Sequence, residues 1–428
     1  MPPSPLYFAM LRRAVKGGAS TWRIQSTHHI LSILYLTEHP PFPKLSYFWP
    51  MRIAINTRFL LPGRLEGLGR YTYEVARRLV EGHPEHEFLF FFDRPYDEQF
   101  LFGKDVQAVV LAPPARHPVL WYIWFEYSVN QALKKYKADV FFSPDGYLSL
   151  RAETPTVMTV HDLAFEHFPE AVPFLVRRYY QHFTPLFCRR ADHLLAVSAY
   201  TRADIQQQYG IEGAKVTVCG NGCREGFRPL AEEEKKRARA EYADGQPYFL
   251  YVGAVHPRKN THRLIEAFGR FKARTGASAK LLIAGRFAWQ TGPVKTAFEA
   301  SAFQVDIRFL GFVPDEKLPQ LVGGAFCFVY PSLFEGFGLP LLEAMHCDVP
   351  LISSRSSSLP EVAGDAALLF DPQDAELLAA ALQRIYQEEG LRHKLVEAGR
   401  LQRRKFSWER TAEVVYGRLV GVFIREKR

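Results

Sequence analysis

Residues 330–345 read YPSLFEGFGLPLLEAM, and the fold is decided by how this stretch is read. The apolar run FCFVY at 326–330 predicts a buried strand, and a short loop carrying Gly336 and Gly338 follows it. Pro340 then opens a helix at a position where a missing N–H costs nothing. A strand, a glycine loop and a helix start together make an anion site, because free N–H groups and the positive end of the helix dipole point the same way. Glu335 precedes that helix and Glu343 lies about one turn inside it. Two carboxylates would repel a phosphate, yet they bind vicinal hydroxyls well. The combination fits a sugar nucleotide: diphosphate on the helix start, one glutamate on the sugar and one on the ribose. Candidate donor-binding positions are therefore Gly336, Phe337, Gly338, Leu339 and Glu343, with Glu335 nearer the chemistry. The plainer alternative is a tight turn with two solvated glutamates. The order Gly, Phe, Gly, Pro between them favours a site.

A chain of 428 residues with 47% hydrophobic residues has enough apolar content for two cores. A formal charge of +9 suits an anionic partner, whether a nucleotide diphosphate, an acidic membrane surface or nucleic acid. The five cysteines are odd in number, and Cys219 and Cys223 have no second pair for zinc, so reduced thiols are expected. No uninterrupted apolar stretch is long enough to cross a bilayer, and no secretory leader is recognisable, so a cytoplasmic protein is expected.

Residues 1–50 lack a sustained period, and MRIAIN at 51–56 opens the first strand pattern. The expectation is a natural start at Met51, with 1–50 an extension. From there short apolar strands alternate with helical runs, which implies parallel sheets covered on both faces. The charged run LAEEEKKRARAEYADG at 230–245 interrupts the rhythm before it resumes. The expected division is 51–228 for an acceptor-side domain and 229–405 for a nucleotide-sugar domain, with 406–428 a terminal amphipathic helix. The fold class is α/β, two Rossmann-like doubly wound domains facing across a cleft.

Ligands of open parallel sheets sit at the carboxyl ends of the strands. GAVHPRKN at 253–260 follows such a strand and offers Arg258 and Lys259, with Gly253 and Asn260 at its two ends. Fixed cations in a dry cleft would stabilise a departing diphosphate; an ordinary solvated corner is the alternative. TVHDLAFEH places His161 and Asp162 at another strand end, with Asp162 read as orienting the imidazole and His167 as structural. A third loop, PGRLEGLGRYT, contains Gly67, Gly69 and Arg70. Gly-x-Gly there, with Asp93 after the next strand, invites a dinucleotide-binding reading and hence an oxidoreductase. Thr72 stands where that fingerprint needs its third glycine. The other reading is a loop that closes over the donor phosphate through Gly69, or shapes an acceptor pocket.

The glutamate stretch, with LISSRSSSLPEVAGDAALLFDP at 351–372, resembles the retaining family 4 glycosyltransferases, most closely their bacterial mannosyltransferase-like branch. The resemblance runs from about Met51 to the C-terminus. It implies a GT-B fold whose last helix returns to the first domain. It implies transfer of a hexose with retention, the expected donor being GDP-mannose and the alternative a UDP-sugar. The acceptor would be a saccharide or lipid-linked saccharide in cell-surface polysaccharide synthesis. A rival of another class is a nucleotide-sugar-binding protein without turnover. The resemblance maps Lys259 onto the family's phosphate-binding lysine and puts His161 near the reacting carbon. Many relatives carry Arg where this chain has Ala254, so Arg258 is expected to supply the second cation. No Asp-x-Asp occurs in the chain, so no metal and no cofactor are expected, and nucleic acid is not an expected partner. Arg177, Arg178, Arg189 and Arg190 lie among aromatics on one helical run. That pattern is compatible with peripheral contact to an anionic membrane or with a solvated basic face.

Overall fold

A computed structural model describes residues 50–63, 65–287 and 292–427. The expected extension, and the question of a start at Met51, lie outside the described residues. The described residues from Pro50 onward form one compact unit, and their strands make two sheets. The first sheet has seven parallel strands: β1 (Arg52–Asn56), β2 (Glu87–Phe92), β3 (Val106–Val110), β4 (Val140–Ser143), β5 (Thr156–Val160), β6 (His193–Ala196) and β7 (Val216–Val218). Their order is β3-β2-β1-β4-β5-β6-β7. The second has six: β8 (Tyr248–Val252), β9 (Lys280–Ala284), β10 (Ile307–Gly311), β11 (Cys327–Tyr330), β12 (Leu351–Ser354) and β13 (Ala367–Phe370). These run β10-β9-β8-β11-β12-β13, again all parallel. This is the expected α/β architecture, two doubly wound Rossmann-like sheets.

The strand sequences explain the layering. The segment FLFFF in β2 is buried on both faces, as is VFFS in β4. An alternating pattern would have left one face wet. Each fully buried phenylalanine contributes about 1.5–3 kcal/mol, so these continuous runs commit both sheets to helical cover.

The switch in strand order falls between β1 and β4 in the first sheet and between β8 and β11 in the second. Crevices that accept ligands open at such points. Four helices frame them: α1 (Leu68–Gly82), α2 (Phe174–Arg190), α3 (Ala199–Tyr209) and α4 (Thr261–Thr275).

Two further helices bear on the site from the second domain's side, α5 (Leu339–His346) and α6 (Leu359–Ala363). The last helix, α7 (Trp408–Glu426), packs against α1 and the first sheet. Ser407 caps it, accepting from Arg410 N–H, and its buried Thr411, Val415, Leu419, Val422 and Phe423 repeat at helical spacing. The chain thus passes between the sheets twice, once after β7 and once before α7. The two passages touch: a Cβ on Gly222 would lie 2.3 Å from the Trp408 nitrogen.

Candidate functional site

A cavity of about 630 Å³ lies between the carboxyl ends of the two sheets and is lined from both. On the second-domain side, β11 ends at Tyr330 and the loop to α5 forms the wall. The serine tract after β12 holds that loop in shape. Ser358 Oγ donates to the carbonyls of Glu335 and Phe337 at 2.9 and 3.0 Å. Glu335 N–H donates to Ser357 Oγ at 2.8 Å, and Ser354 Oγ to the Ser332 carbonyl at 2.5 Å. Gly338 caps α5 at φ 103°, a left-handed conformation costly for other residues, and no side chain bonds to the helix start, whose Leu339 and Pro340 line the cavity.

Glu335 and Lys259 meet there. Lys259 Nζ donates to Glu335 Oε1 at 2.5 Å and to the Tyr330 hydroxyl at 3.4 Å. Burial pushes the Glu335 carboxyl up, but the Lys259 and Arg258 charges outweigh it and hold the group below the usual carboxylate value. It stays ionised, with an ammonium against one oxygen. Gly253 and Ala254 line the same wall, and a Cβ on the neighbouring Gly285 would meet the Gly253 carbonyl at 1.9 Å.

The first domain contributes His161 at the end of β5. His161 Nε2–H donates to the Pro144 carbonyl at 2.7 Å, which leaves Nδ1 as the ring's acceptor. Burial lowers its pKa, so the ring is neutral at pH 7. Tyr71 packs its ring against the imidazole edge-on, with centroids 4.8 Å apart. Deeper in the same half, Asp145 accepts from Arg58 Nε at 2.6 Å beneath Tyr147.

Most of the residues singled out in the sequence converge here: Lys259, Glu335, His161, Gly253, Gly336, Phe337, Gly338, Leu339 and Glu343 all line the cavity. Three do not. Arg258 lies behind Glu335, its Nη1 donating to the Phe334 carbonyl at 2.5 Å and standing 3.6 Å from Glu335 Oε2. Asn260 is fully buried in a left-handed conformation, its amide donating to the carbonyls of Pro331 and Pro372. It ties the lysine turn to the glutamate loop instead of facing a ligand. Gly69 lies inside α1, where a Cβ would meet the Phe59 carbonyl at 2.6 Å, so it serves close packing. Pro257–Lys259 is a separate 3-10 turn ended by Asn260, and α4 begins only at Thr261. Asp162 does not orient the imidazole; it accepts from Ala164 N–H at 3.0 Å, and Pro144 holds the ring. Asp93, the residue behind the dinucleotide reading, is committed to Arg94 and to Ala115 N–H.

Sequence reasoning missed Arg224 and Arg286, which both line the cavity. Arg224 donates to Glu343 Oε1 at 2.7 Å, and Arg286 pairs with Glu66 across the cleft. Neither sits in a recognisable motif. Among the described residues no group of three or more His, Cys, Asp or Glu converges as a metal ligand set.

Comparison with known proteins fits this geometry. Residues 65–225 match the model of Glycosyltransferase Family 4 and residues 232–402 that of Glycosyl transferases group 1. The chain is 32% identical to O-antigen chain mannosyltransferase B of Escherichia coli over 356 residues, covering 81% of this chain and 93% of the relative. The chain belongs to glycosyltransferase family 4. The family 4 fold is shared with the solved glycosyltransferase from Rickettsia africae ESF-5, at TM-score 0.67 and 18% identity, over 88% of this chain and 99% of that one. Anabaena Alr3699/HepE, solved in complex with UDP and glucose, matches at TM-score 0.67 and 17% identity, over 86% and 99% of the two chains. This family 4 glycosyltransferase is accordingly a GT-B protein. Among its described residues no helix is long and apolar enough to cross a membrane.

Proposed function

We propose that the enzyme transfers mannose from GDP-mannose, with retention and without a metal ion, to a saccharide or lipid-linked acceptor of a cell-surface polysaccharide. The observation that carries this reading is the Lys259–Glu335 contact at 2.5 Å beside the capped start of α5, facing His161 across one cavity. The mannosyltransferase name and 93% coverage of the Escherichia coli relative support the choice of sugar and pathway.

The chemistry asked of these residues is charge stabilisation. As the glycosidic C–O bond lengthens, negative charge grows on the diphosphate, where Lys259 and the positive end of α5 meet it without reorganising. Glu335, kept ionised, accepts from sugar hydroxyls and keeps Lys259 in place. The acceptor attacks from the face that the diphosphate leaves. His161, neutral and fixed by Pro144, presents Nδ1 to the sugar. A panel of GDP- and UDP-sugars, scored by thermal shift and then by donor hydrolysis, tests the reading. Stabilisation and hydrolysis with GDP-mannose are expected. A preference for a UDP-sugar overturns the donor, and binding without turnover overturns the enzyme.

Peripheral membrane contact at the cytoplasmic face belongs to the same proposal. At the start of α2, Phe174 and Leu175 are 63% and 59% exposed beside Arg177 and Arg178. Exposed apolar tips with adjacent cations suit an anionic bilayer. Flotation with anionic liposomes at low salt is expected to carry the protein; no co-migration counts against contact.

A further inference from the structure

The main cavity and a smaller hollow of about 270 Å³ share three lining residues, Arg70, Arg224 and Asp315. With Glu343 they form a line of alternating charge along the partition. Glu343 Oε1 accepts from Arg224 Nε at 2.7 Å. Arg224 Nη1 donates to Asp315 Oδ1 at 2.9 Å, and Asp315 Oδ2 accepts from Arg70 Nη2 at 2.6 Å. The line starts on α5, crosses the linker after β7, touches the loop after β10 and ends on α1 of the opposite domain. Among the described residues Glu343 Oε2 has no hydrogen-bonded partner, although the residue lines the cavity.

Isolated surface ion pairs contribute little. This line differs because one guanidinium serves two carboxylates at once, which fixes its fork and both acids. The Glu343 and Arg224 side chains are only 5% and 17% exposed, so their pair is poorly screened. Arg224 also neutralises a carboxylate that would otherwise stand unpaired beside a diphosphate.

We propose that Arg224 is a positioning residue for the donor. It sets the Glu343 carboxylate for the ribose of a nucleoside diphosphate and, through Asp315, makes that setting depend on Arg70 in the other domain. Donor binding and closure are then linked, and each strengthens the other by the same factor. This rests on the donor reading of Glu343 given above.

Titration calorimetry with GDP, and with UDP in parallel, tests it on wild type and on Arg224→Gln, Asp315→Asn, Arg70→Gln and Glu343→Gln. Arg224→Gln is expected to weaken nucleotide binding about tenfold, and Asp315→Asn and Arg70→Gln about threefold to fivefold each. Their double variant should be no worse than either single. Donor KM should rise in step while kcat stays within about threefold, a split that general loss of structure would not give. Arg224→Lys, a cation without the fork, should recover only part of the affinity. Wild-type affinity in Arg224→Gln, with Glu343→Gln weakened, overturns the proposal alone. Wild-type affinity in Glu343→Gln brings down the donor reading as well. Should Arg224→Gln lose its melting transition, the two rim variants decide: unchanged GDP affinity in both overturns the link.

Discussion

A Cβ on Gly336 would stand 1.8 Å from the carbonyl oxygen of His161, so the glutamate loop of one domain lies flush against the end of β5 in the other. The Gly336 carbonyl is held there by Ser198 Oγ at 2.7 Å and Thr201 Oγ1 at 3.2 Å. Only a residue without a side chain lets the two walls of the cavity meet.

Gly336→Ala is therefore expected to keep the walls apart while each domain folds. A displacement of about 1 Å between reacting groups costs on the order of a hundredfold in rate. Steady-state turnover together with a melting curve checks this: turnover should fall that far with the transition nearly unmoved. Activity within threefold of wild type would show that contact at this distance is dispensable.

Lys259→Met and Glu335→Gln should each lower kcat by about 10²–10³. Lys259→Met should also cost about 3 kcal/mol of stability, since the buried Glu335 carboxylate then loses its nearest cation and the remaining one, Arg258, stands 3.6 Å away. In the double variant much of that stability should return and the activity should not. Urea midpoints and single-turnover rates on all three separate the two effects. Glu343→Ala should be milder, about tenfold and mainly in donor KM.

Chelation should leave turnover largely intact, because Lys259 and the start of α5 supply the positive charge that a divalent ion would bring. The check is donor hydrolysis in EDTA. Loss of activity that a divalent ion restores would refute metal independence.

His193 gives a pH dependence of known sign. It bonds Thr217 at 2.8 Å, and burial together with Arg418, Arg425 and Lys215 pushes its pKa down to about 4. The unfolded chain takes up that proton near pH 6.5 and the folded one does not. Stability from this group is complete above about pH 6.5 and is lost as pH falls toward 4, by about 2–3 kcal/mol. Urea unfolding of His193→Gln at pH 7 and pH 4.5 should show a correspondingly smaller acid loss than wild type.

Much of this architecture is legible in local sequence. Continuous apolar runs such as FLFFF and YFLYV mark strands buried on both faces, and Gly338-Leu-Pro marks a helix start, because neighbouring residues settle those choices. Glu335 and Lys259 are legible for the same reason: each follows a strand that must end at the crevice. Arg224 is not, since its partners Asp315 and Glu343 lie 91 and 119 positions away and its own neighbours form no pattern. Arg258 and Asn260 show the opposite limit. Their place beside Lys259 is evident from sequence, but side-chain direction is set by the carbonyls of Phe334, Pro331 and Pro372, which only the assembled loops supply.

The contact between Gly222 and Trp408 bears on how this enzyme can move. Two stretches of backbone packed this closely mark where the halves pivot. The motion expected about such a pivot is a swing apart like the covers of a book, with sliding opposed by the close fit. One probe pair spanning the mouth would then track the whole motion, because a single angle describes it.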